Sequence, residues 1–499
     1  MNSPDGWKFA RSDYVKMVPI LVLALFMALF PHFEYPYAIH IDEWVHIAHS
    51  NALLKAAEIY YPDPFTGQGP GGSVVSLLEL GYHLPLAIFQ QLAGISWMEI
   101  ANYFPGITLV FAVLSVYVFA KRMGFGWEAA FFTTLIPTTV GIMGPVFLVP
   151  VAMGLAFVPL LLFLVSNFKT VGAYLSLSVS VAFLIILHAP SAILFIIILV
   201  PFILVSLKGN FKHSLLTMLV VSIPFLVTLP WTSGLILSEA KNLFNPTPLP
   251  SYHDFLAAIS ANGYLTISSC LVGTFVLSIK GGRGNYSLIS GFLALLVMLA
   301  VFYTLHYGLV MLYLRGMLFM MMMMSIVAGA GLAILWRLDI PLLTDLKIRR
   351  PGIVGATGIF LGLIFIGATL AVAIPDRQAI PYYYMIDSVD YDSFIWIGEN
   401  VDEASGKAIL DPWKATAFTA ITERHVSTRI HMAAFAEQLA AYDFIRDGSS
   451  NTTFLKENGV SIVYTRVTEA GGETIEYSVD NPDLIEVAKN IYLIKEEKD

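Results

Sequence analysis

The sequence predicts an α-helical polytopic membrane protein of about eleven transmembrane helices, with a small α/β domain at its C-terminus. Three observations point there. Apolar residues make up 57% of the 499 and charged residues only 13%, where globular chains hold roughly 45–50% and about 25%. Apolar runs long enough to cross a bilayer, which takes ~20 helical residues, recur through the first three quarters of the chain. After about Pro375 the composition becomes that of a soluble domain. There is no basic stripe of the kind that binds nucleic acid.

At the N-terminus, Lys8, Arg11 and Lys16 precede an apolar stretch from Met17 to Phe30. A cleaved signal peptide would need a small-x-small site after it. Aromatic residues and Pro36 follow instead, so the stretch is read as a retained first span. Spans are expected at 17–33, 101–120, 127–143, 146–166, 171–187, 190–207, 213–230, 264–280, 286–305, 315–336 and 352–374. Met143-Gly144-Pro145 would be the whole connection between the third and fourth. The single cysteine, Cys270, lies inside an apolar run and allows no intramolecular disulfide. Met320–Met324 falls within a span and is read as lipid or core packing rather than a metal site.

Charge sets the expected topology. With the N-terminus cytoplasmic, the span count gathers Lys121/Arg122, Lys169, Lys208/Lys212, Lys280/Arg283 and Arg337/Lys347/Arg349/Arg350 on one side. The opposite loops carry only Lys55, Lys241 and Arg315, a bias that the positive-inside rule assigns to a cytoplasmic N-terminus. Histidines show the reverse asymmetry: His32, His40, His46, His49, His83, His188, His253 and His306 fall on or near the outer face, and only His213 inside. A histidine tolerates an interface, but so many on one side suggest convergence on an outer cavity.

Within the membrane domain, residues 1–375, the outer loop 34–100 is long. It holds a helical stretch after Asp42, the breaker-rich segment Pro62–Gly72, and a short apolar stretch, His83 to Leu92, that suits the membrane interface rather than a span. A second outer loop, Trp231 to Gly263, contains Asn245–Pro250, which cannot be regular helix. The domain 376–499, outside by the same count, shows helical patterns at Tyr391–Val401 and Ala433–Arg446 and β-like runs at Ala408–Leu410, Ser461–Tyr464 and Ile491–Ile494. Asn451-Thr452-Thr453 is a glycosylation sequon.

The chemistry concentrates in His40-Ile41-Asp42-Glu43-Trp44-Val45-His46-Ile47-Ala48-His49, just past the first span. Ionisable groups at such depth are costly and mark working sites. On a helix, Asp42, His46 and His49 share a face at i, i+4 and i+7, with Glu43 bordering it. A partly desolvated carboxylate there suits a general base for an acceptor hydroxyl. The same carboxylates and imidazoles suit a divalent cation such as Mg²⁺, Mn²⁺ or Ca²⁺. The plainer alternative is a helix N-terminus, with Asp42 as cap and Glu43 complementing the dipole. The zinc-hydrolase motif His-Glu-x-x-His is absent, because the segment reads Asp-Glu-Trp-Val-His.

An acidic pair at the outer end of the first helix, before a long loop with interfacial helices, resembles the GT-C superfamily of polyprenyl-phosphate-dependent membrane glycosyltransferases. That superfamily includes protein O-mannosyltransferases, aminoarabinose transferases and oligosaccharyltransferases. The resemblance covers the layout of nearly the whole chain, and its residue-level motif is Asp42-Glu43. Outer domains with motifs like Trp396-Ile397-Gly398-Glu399-Asn400 also occur in archaeal-type relatives. No Trp-Trp-Asp-Tyr-Gly sequence is present, which argues against transfer of a whole glycan to asparagine.

The resemblance implies a polyprenyl-phosphate-linked sugar donor in the bilayer and a lipid, glycan or protein acceptor at the outer face. It implies Asp42 as general base, with Glu43 positioning the acceptor or sharing a metal. Arg315, in Leu312-Tyr313-Leu314-Arg315-Gly316, would hold the donor phosphate, for which a guanidinium fork is well shaped; a snorkelling arginine is the alternative. Lys55 and His306 are further phosphate contacts, and His46, His49 and His83 contacts to the donor head or a metal. The competing class is a secondary transporter with an outward-facing acidic and histidine site. Transporters tend to show repeats and charged mid-span helices, and neither is evident here.

Overall fold

The computed structural model describes residues 11–67, 79–139, 142–167, 169–242, 254–337, 351–402, 405–430, 435–469 and 472–495. Lys8, residues 68–72 of the breaker-rich segment, Asn245–Pro250, His253, Lys347, Arg349 and Arg350 lie outside them. The chain divides into two compact units, Met1–Glu34 with Tyr103–Pro381, and Tyr35–Asn102 with Tyr382–Asp499.

The first unit is a helical bundle. Among the described residues, eight helices are long and apolar enough to cross a membrane, or nine if a bent pair counts as one span. They lie in α1 (Arg11–Leu29), α4 (Trp97–Lys121), α6 (Pro150–Asn167), α8 (Ala189–Asn242), α11 (Arg283–Leu305), α12 (Val310–Arg337) and α13 (Pro351–Gln378). α8 supplies two, because its backbone leaves helical geometry at Asn210. The bent pair is α9 (Phe255–Ala261) and α10 (Tyr264–Lys280), meeting at 92°. α7 (Val171–Leu187) is apolar but has only 17 residues.

The third expected span, 127–143, is corrected. Its helix, α5, covers only Gly126–Thr133, and the described residues 134–139 and 142–149 are not α-helical. Pro137 and Gly144-Pro145 break the helical ladder. Non-helical backbone at such depth must be enclosed by protein and internally bonded. The described part is buried; Thr139 and Ile142 exchange backbone bonds of 2.9 and 3.0 Å, and Val146 N–H donates to Thr138 Oγ1 at 3.2 Å. Met143-Gly144-Pro145 is therefore part of this irregular segment, not a turn between two helices.

α12 is the centre of the bundle, 94% of its apolar window being buried. The Met320–Met324 run is core packing, since all five side chains are buried. Small residues let α10 and α12 touch backbone to backbone, the usual device where no hydrophobic effect drives helices together. A Cβ on Gly331 would strike the Ser269 carbonyl, and Ser269 Oγ donates to the Ala328 carbonyl at 2.8 Å. Gly331→Leu is expected to lower bundle stability by about 1–3 kcal/mol, seen as a lower Tm in detergent. Gly367→Leu, on an open face of α13, should leave Tm unchanged.

In the second unit, residues 382–495 form a four-stranded sheet of order β1-β2-β6-β5. β1 (Lys407–Ile409) runs parallel to β2 (Val460–Tyr464), whereas β6 (Ile491–Ile494) is antiparallel to β2 and to β5 (Leu484–Ala488). A hairpin of β3 (Arg466–Thr468) and β4 (Thr474–Glu476) stands apart. The expected helices are Ser388–Asn400 (α14) and Phe435–Arg446 (α16); Ala415–Thr422 (α15) and Thr452–Asn458 (α17) add to them. Ile409, Val463, Ile445 and Leu455 make the core of this α/β layer. Beneath α14 lies a buried ionic network. Lys414 Nζ donates to both Asp390 oxygens (3.0 and 2.8 Å), Arg466 Nη1 to Asp390 Oδ1 (2.7 Å), and Tyr464 OH to the same oxygen (2.8 Å).

Candidate functional site

The loop 35–102 contributes two helices to this second unit. α2 spans Ile41–Ala56 and α3 Leu80–Ala93. α2 starts where it does because of a capping box: His40 Nδ1 accepts from Asp42 N–H at 3.1 Å, and Glu43 Oε2 accepts from His40 N–H at 2.8 Å. His40, not Asp42, is therefore the N-cap. Glu43 is fully buried in this role, while Asp42 stands half-buried in the first turn, where the helix dipole favours negative charge. α3 buries Tyr82, His83, Leu86 and Ala87, and exposes Leu84, Ile88 and Leu92 as one apolar stripe. That stripe suits a helix lying in a membrane interface.

Behind Asp42 the two helices bring three histidines together. His46 Nδ1 lies 3.0 Å from His83 Nε2 and 3.7 Å from Glu79 Oε2. These three ligand-type atoms all lie within 4.8 Å of one another, a grouping able to hold a metal ion. Two imidazole nitrogens on one tetrahedral Zn²⁺ stand roughly 3.3 Å apart, given Zn–N bonds of about 2.0–2.1 Å, so little movement would be needed. His49 is placed differently: its ring stacks on His83 (5.2 Å between centroids, 17° between planes) and its Nδ1 meets Tyr61 OH at 3.2 Å.

A loop from the Pro-rich segment closes over His49. Asp63 Oδ1 accepts from the backbone N–H groups of Phe65 and Thr66 at 2.8 and 3.0 Å, which makes a tight turn. Phe65 packs edge-on to His49 and carries the Arg429 guanidinium 3.8 Å from its ring centre. The turn is pinned to the sheet domain by Val426 N–H, which donates to the Phe65 carbonyl at 2.9 Å. Gly67 is required beside it, since its φ of +68° is left-handed and His425 fills the space a Cβ would take. Burial lowers the Arg429 pKa to about 10, against the opposing pull of Asp63 and Asp42. It remains a cation in the field of Asp42.

Lys55 Nζ bonds Glu423 Oε2 at 3.1 Å, and both line a cavity of about 350 Å³ with Asn51, Asp63 and His425. His306 and Arg315 belong to the membrane unit. His306 caps the C-terminus of α11 in a left-handed conformation (φ 58°) and is exposed; Arg315, half-buried in α12, contacts the Met143 sulfur. Glu79, Tyr61, Asp63 and Arg429 escaped the sequence reading. Glu79 and His83 had a signal, four residues apart at the start of a helix. Arg429 had none, being far along the chain.

Burial keeps His49 and His83 neutral. It pushes the His49 pKa down to about 3, with Arg429 and His46 adding to the effect, and holds that of His83 well below its usual range. His425 is lowered too, by burial and then Lys407. Unfolding exposes these groups to their ordinary pKa of about 6.5, so the unfolded state takes up protons first. Their stabilisation is complete above pH ~6.5 and is lost as pH falls toward the folded values, at about 1.4 kcal/mol per pH unit for each fully shifted group. Acid melts in EDTA should show the second unit weakening below pH ~6.5, and His49→Gln should flatten that slope.

The fold, a polytopic helical bundle with an α/β region after it, is similar to the folds of several solved glycan- and sugar-transferring enzymes. The oligosaccharyltransferase of Archaeoglobus fulgidus, in its apo form, superposes with a TM-score of 0.65 at 12% identity, covering 90% of this chain and 69% of that one. It has also been solved with Zn and sulfate (TM-score 0.60, 11% identity, 91% and 68% covered). ArnT from Cupriavidus metallidurans bound to undecaprenyl phosphate gives 0.52 at 13% identity, over 93% of this chain and 94% of that one. The mycobacterial arabinofuranosyltransferase AftD gives 0.62 at 14% identity, over 98% of this chain but 40% of its own length. No family model and no curated protein matches the sequence.

Proposed function

We propose that this chain is a GT-C-type glycosyltransferase that moves a sugar from a polyprenyl-phosphate-linked donor to an acceptor hydroxyl at the outer face of the membrane. The N-terminus is then cytoplasmic and the second unit outside. The observation that carries the reading is the place of Asp42: a half-buried carboxylate on the first turn of α2, backed by His46, His83 and Glu79, in a chain with this fold. Asp42 takes the proton of the acceptor hydroxyl. The hydroxyl oxygen then bonds the anomeric carbon as the bond from that carbon to the phosphate oxygen breaks, and the lipid phosphate leaves with the electron pair. Cationic groups lower the cost of that leaving charge, a role proposed for Arg315. Glu43 holds the first turn of α2 and so the direction of Asp42.

His46, His83 and Glu79 fit a divalent cation, two neutral imidazoles and one carboxylate being a donor set for Zn²⁺ or Mn²⁺ more than for Mg²⁺ or Ca²⁺. Such an ion would neutralise phosphate charge one helical turn from Asp42, about 6 Å along the axis. The lack of the Trp-Trp-Asp-Tyr-Gly sequence favours a lipid, glycan or serine/threonine hydroxyl over asparagine as acceptor. The test is transfer of radiolabelled sugar from a panel of polyprenyl-phosphate sugars in membranes holding this chain. EDTA should abolish transfer, and Zn²⁺ or Mn²⁺ restore it. Full activity in EDTA would remove the cation; no transfer from any donor would overturn the proposal.

A further inference from the structure

The membrane unit contains an ionic cavity lined by none of the residues assigned above. Its volume is about 170 Å³, and Arg122, Lys169 and Arg283 line it, with no carboxylate among the described lining residues. Each cation comes from a different connection: Arg122 follows α4, Lys169 lies between α6 and α7, and Arg283 opens α11. The basic loops that sequence places on one side of the membrane thus converge on one space.

The cavity is shaped, and not merely charged. The kink of α8 turns Asn210 toward Lys169, whose Nζ donates to Asn210 Oδ1 at 2.9 Å. The Arg283 guanidinium lies over Gly209, in the space a Cβ would occupy. His213 is held by Tyr174 OH at 2.5 Å and by the Val165 carbonyl at 2.9 Å, so it forms wall. The 23-residue helix α11 begins at the cavity without a side-chain cap, and its second residue, Gly284, lines the space. First-turn N–H groups and the positive end of a helix dipole therefore add to the three side chains. Phe119, Phe202 and Ile203 give the cavity an apolar part of its lining.

We propose that this cavity binds a phosphate group, held by Lys169, Arg283 and the start of α11, and that the apolar part of the lining selects a phosphate carried on a lipid chain. The proposal is independent of the transfer reaction, because its readout is binding. Purified full-length protein in detergent would be titrated with dihexanoyl phosphatidic acid, farnesyl phosphate, inorganic phosphate and dihexanoyl phosphatidylcholine by calorimetry.

Saturable binding of the first two, and at least tenfold weaker binding of phosphatidylcholine, is expected. Lys169→Gln with Arg283→Gln should weaken binding at least tenfold, and Lys169→Arg with Arg283→Lys should restore it. Both positions are exposed, so the fold should tolerate these changes. Inorganic phosphate binding as tightly as the lipids would overturn the lipid source and leave a free-phosphate site. Absence of saturable binding by all probes, or equal binding by the Gln double variant, would overturn the site.

Discussion

Asp42→Asn is expected to lower glycosyl transfer by about 10²–10⁴-fold, the usual worth of a general base, with the second unit still folded. Asparagine matches the carboxylate in shape but cannot take a proton. The capping box that starts α2 uses His40 and Glu43, so the helix keeps its first turn. Initial rates at saturating donor, beside unfolding curves for both proteins, check this; unchanged transfer would remove Asp42 from the role. Glu43→Gln makes a useful partner, since a glutamine at the third position still completes a capping box. A loss there without loss of stability would give Glu43 chemistry of its own.

The second large effect concerns stability. Asp390→Ala should destabilise the second unit by about 3–5 kcal/mol, the cost of breaking a buried ion pair from one side. Lys414 is fully buried and Asp390 nearly so; the change would strand the Lys414 charge, while Arg466 would lose one carboxylate and keep Asp387 and Glu476. Arg466 also grips Asp387 through two bonds of 2.8 Å, which holds the Asp387 carboxyl well below its usual range. Protease resistance or Tm of the full chain measures the effect. The double variant Asp390→Leu, Lys414→Met should recover part of it, because a paired loss leaves fewer stranded charges. If Asp390→Ala melts like the parent, the network is not what holds α14 to the sheet.

Much of the membrane bundle was legible because long apolar runs have one outcome in a bilayer. The exception is instructive. Residues 127–143 have the composition of a span, yet Pro137 and Gly144-Pro145 outweigh hydropathy once neighbouring helices enclose the backbone and satisfy it. The α2 segment was legible in the same local way: its helix, its acidic pair and the shared face of Asp42, His46 and His49 follow from spacing alone. The division of labour between Asp42 and Glu43 was not. Which carboxylate caps and which stands half-exposed depends on the direction the chain enters the helix, and that placed the cap on His40.

The sequence by itself determined that the chain carries a bundle of membrane-length apolar helices, that an α/β region follows it, and that Asp42, His46 and His49 sit together on one short helical segment. Periodicity, charge bias and composition act between near neighbours and can be read without coordinates. Only the tertiary structure decided that His46 joins Glu79 and His83 while His49 turns to Tyr61, and that Arg429 closes over Phe65. Only it showed that Arg122, Lys169 and Arg283 share one cavity. Those groupings rest on contacts between residues far apart in the chain, whose energies depend on burial and angle rather than on spacing.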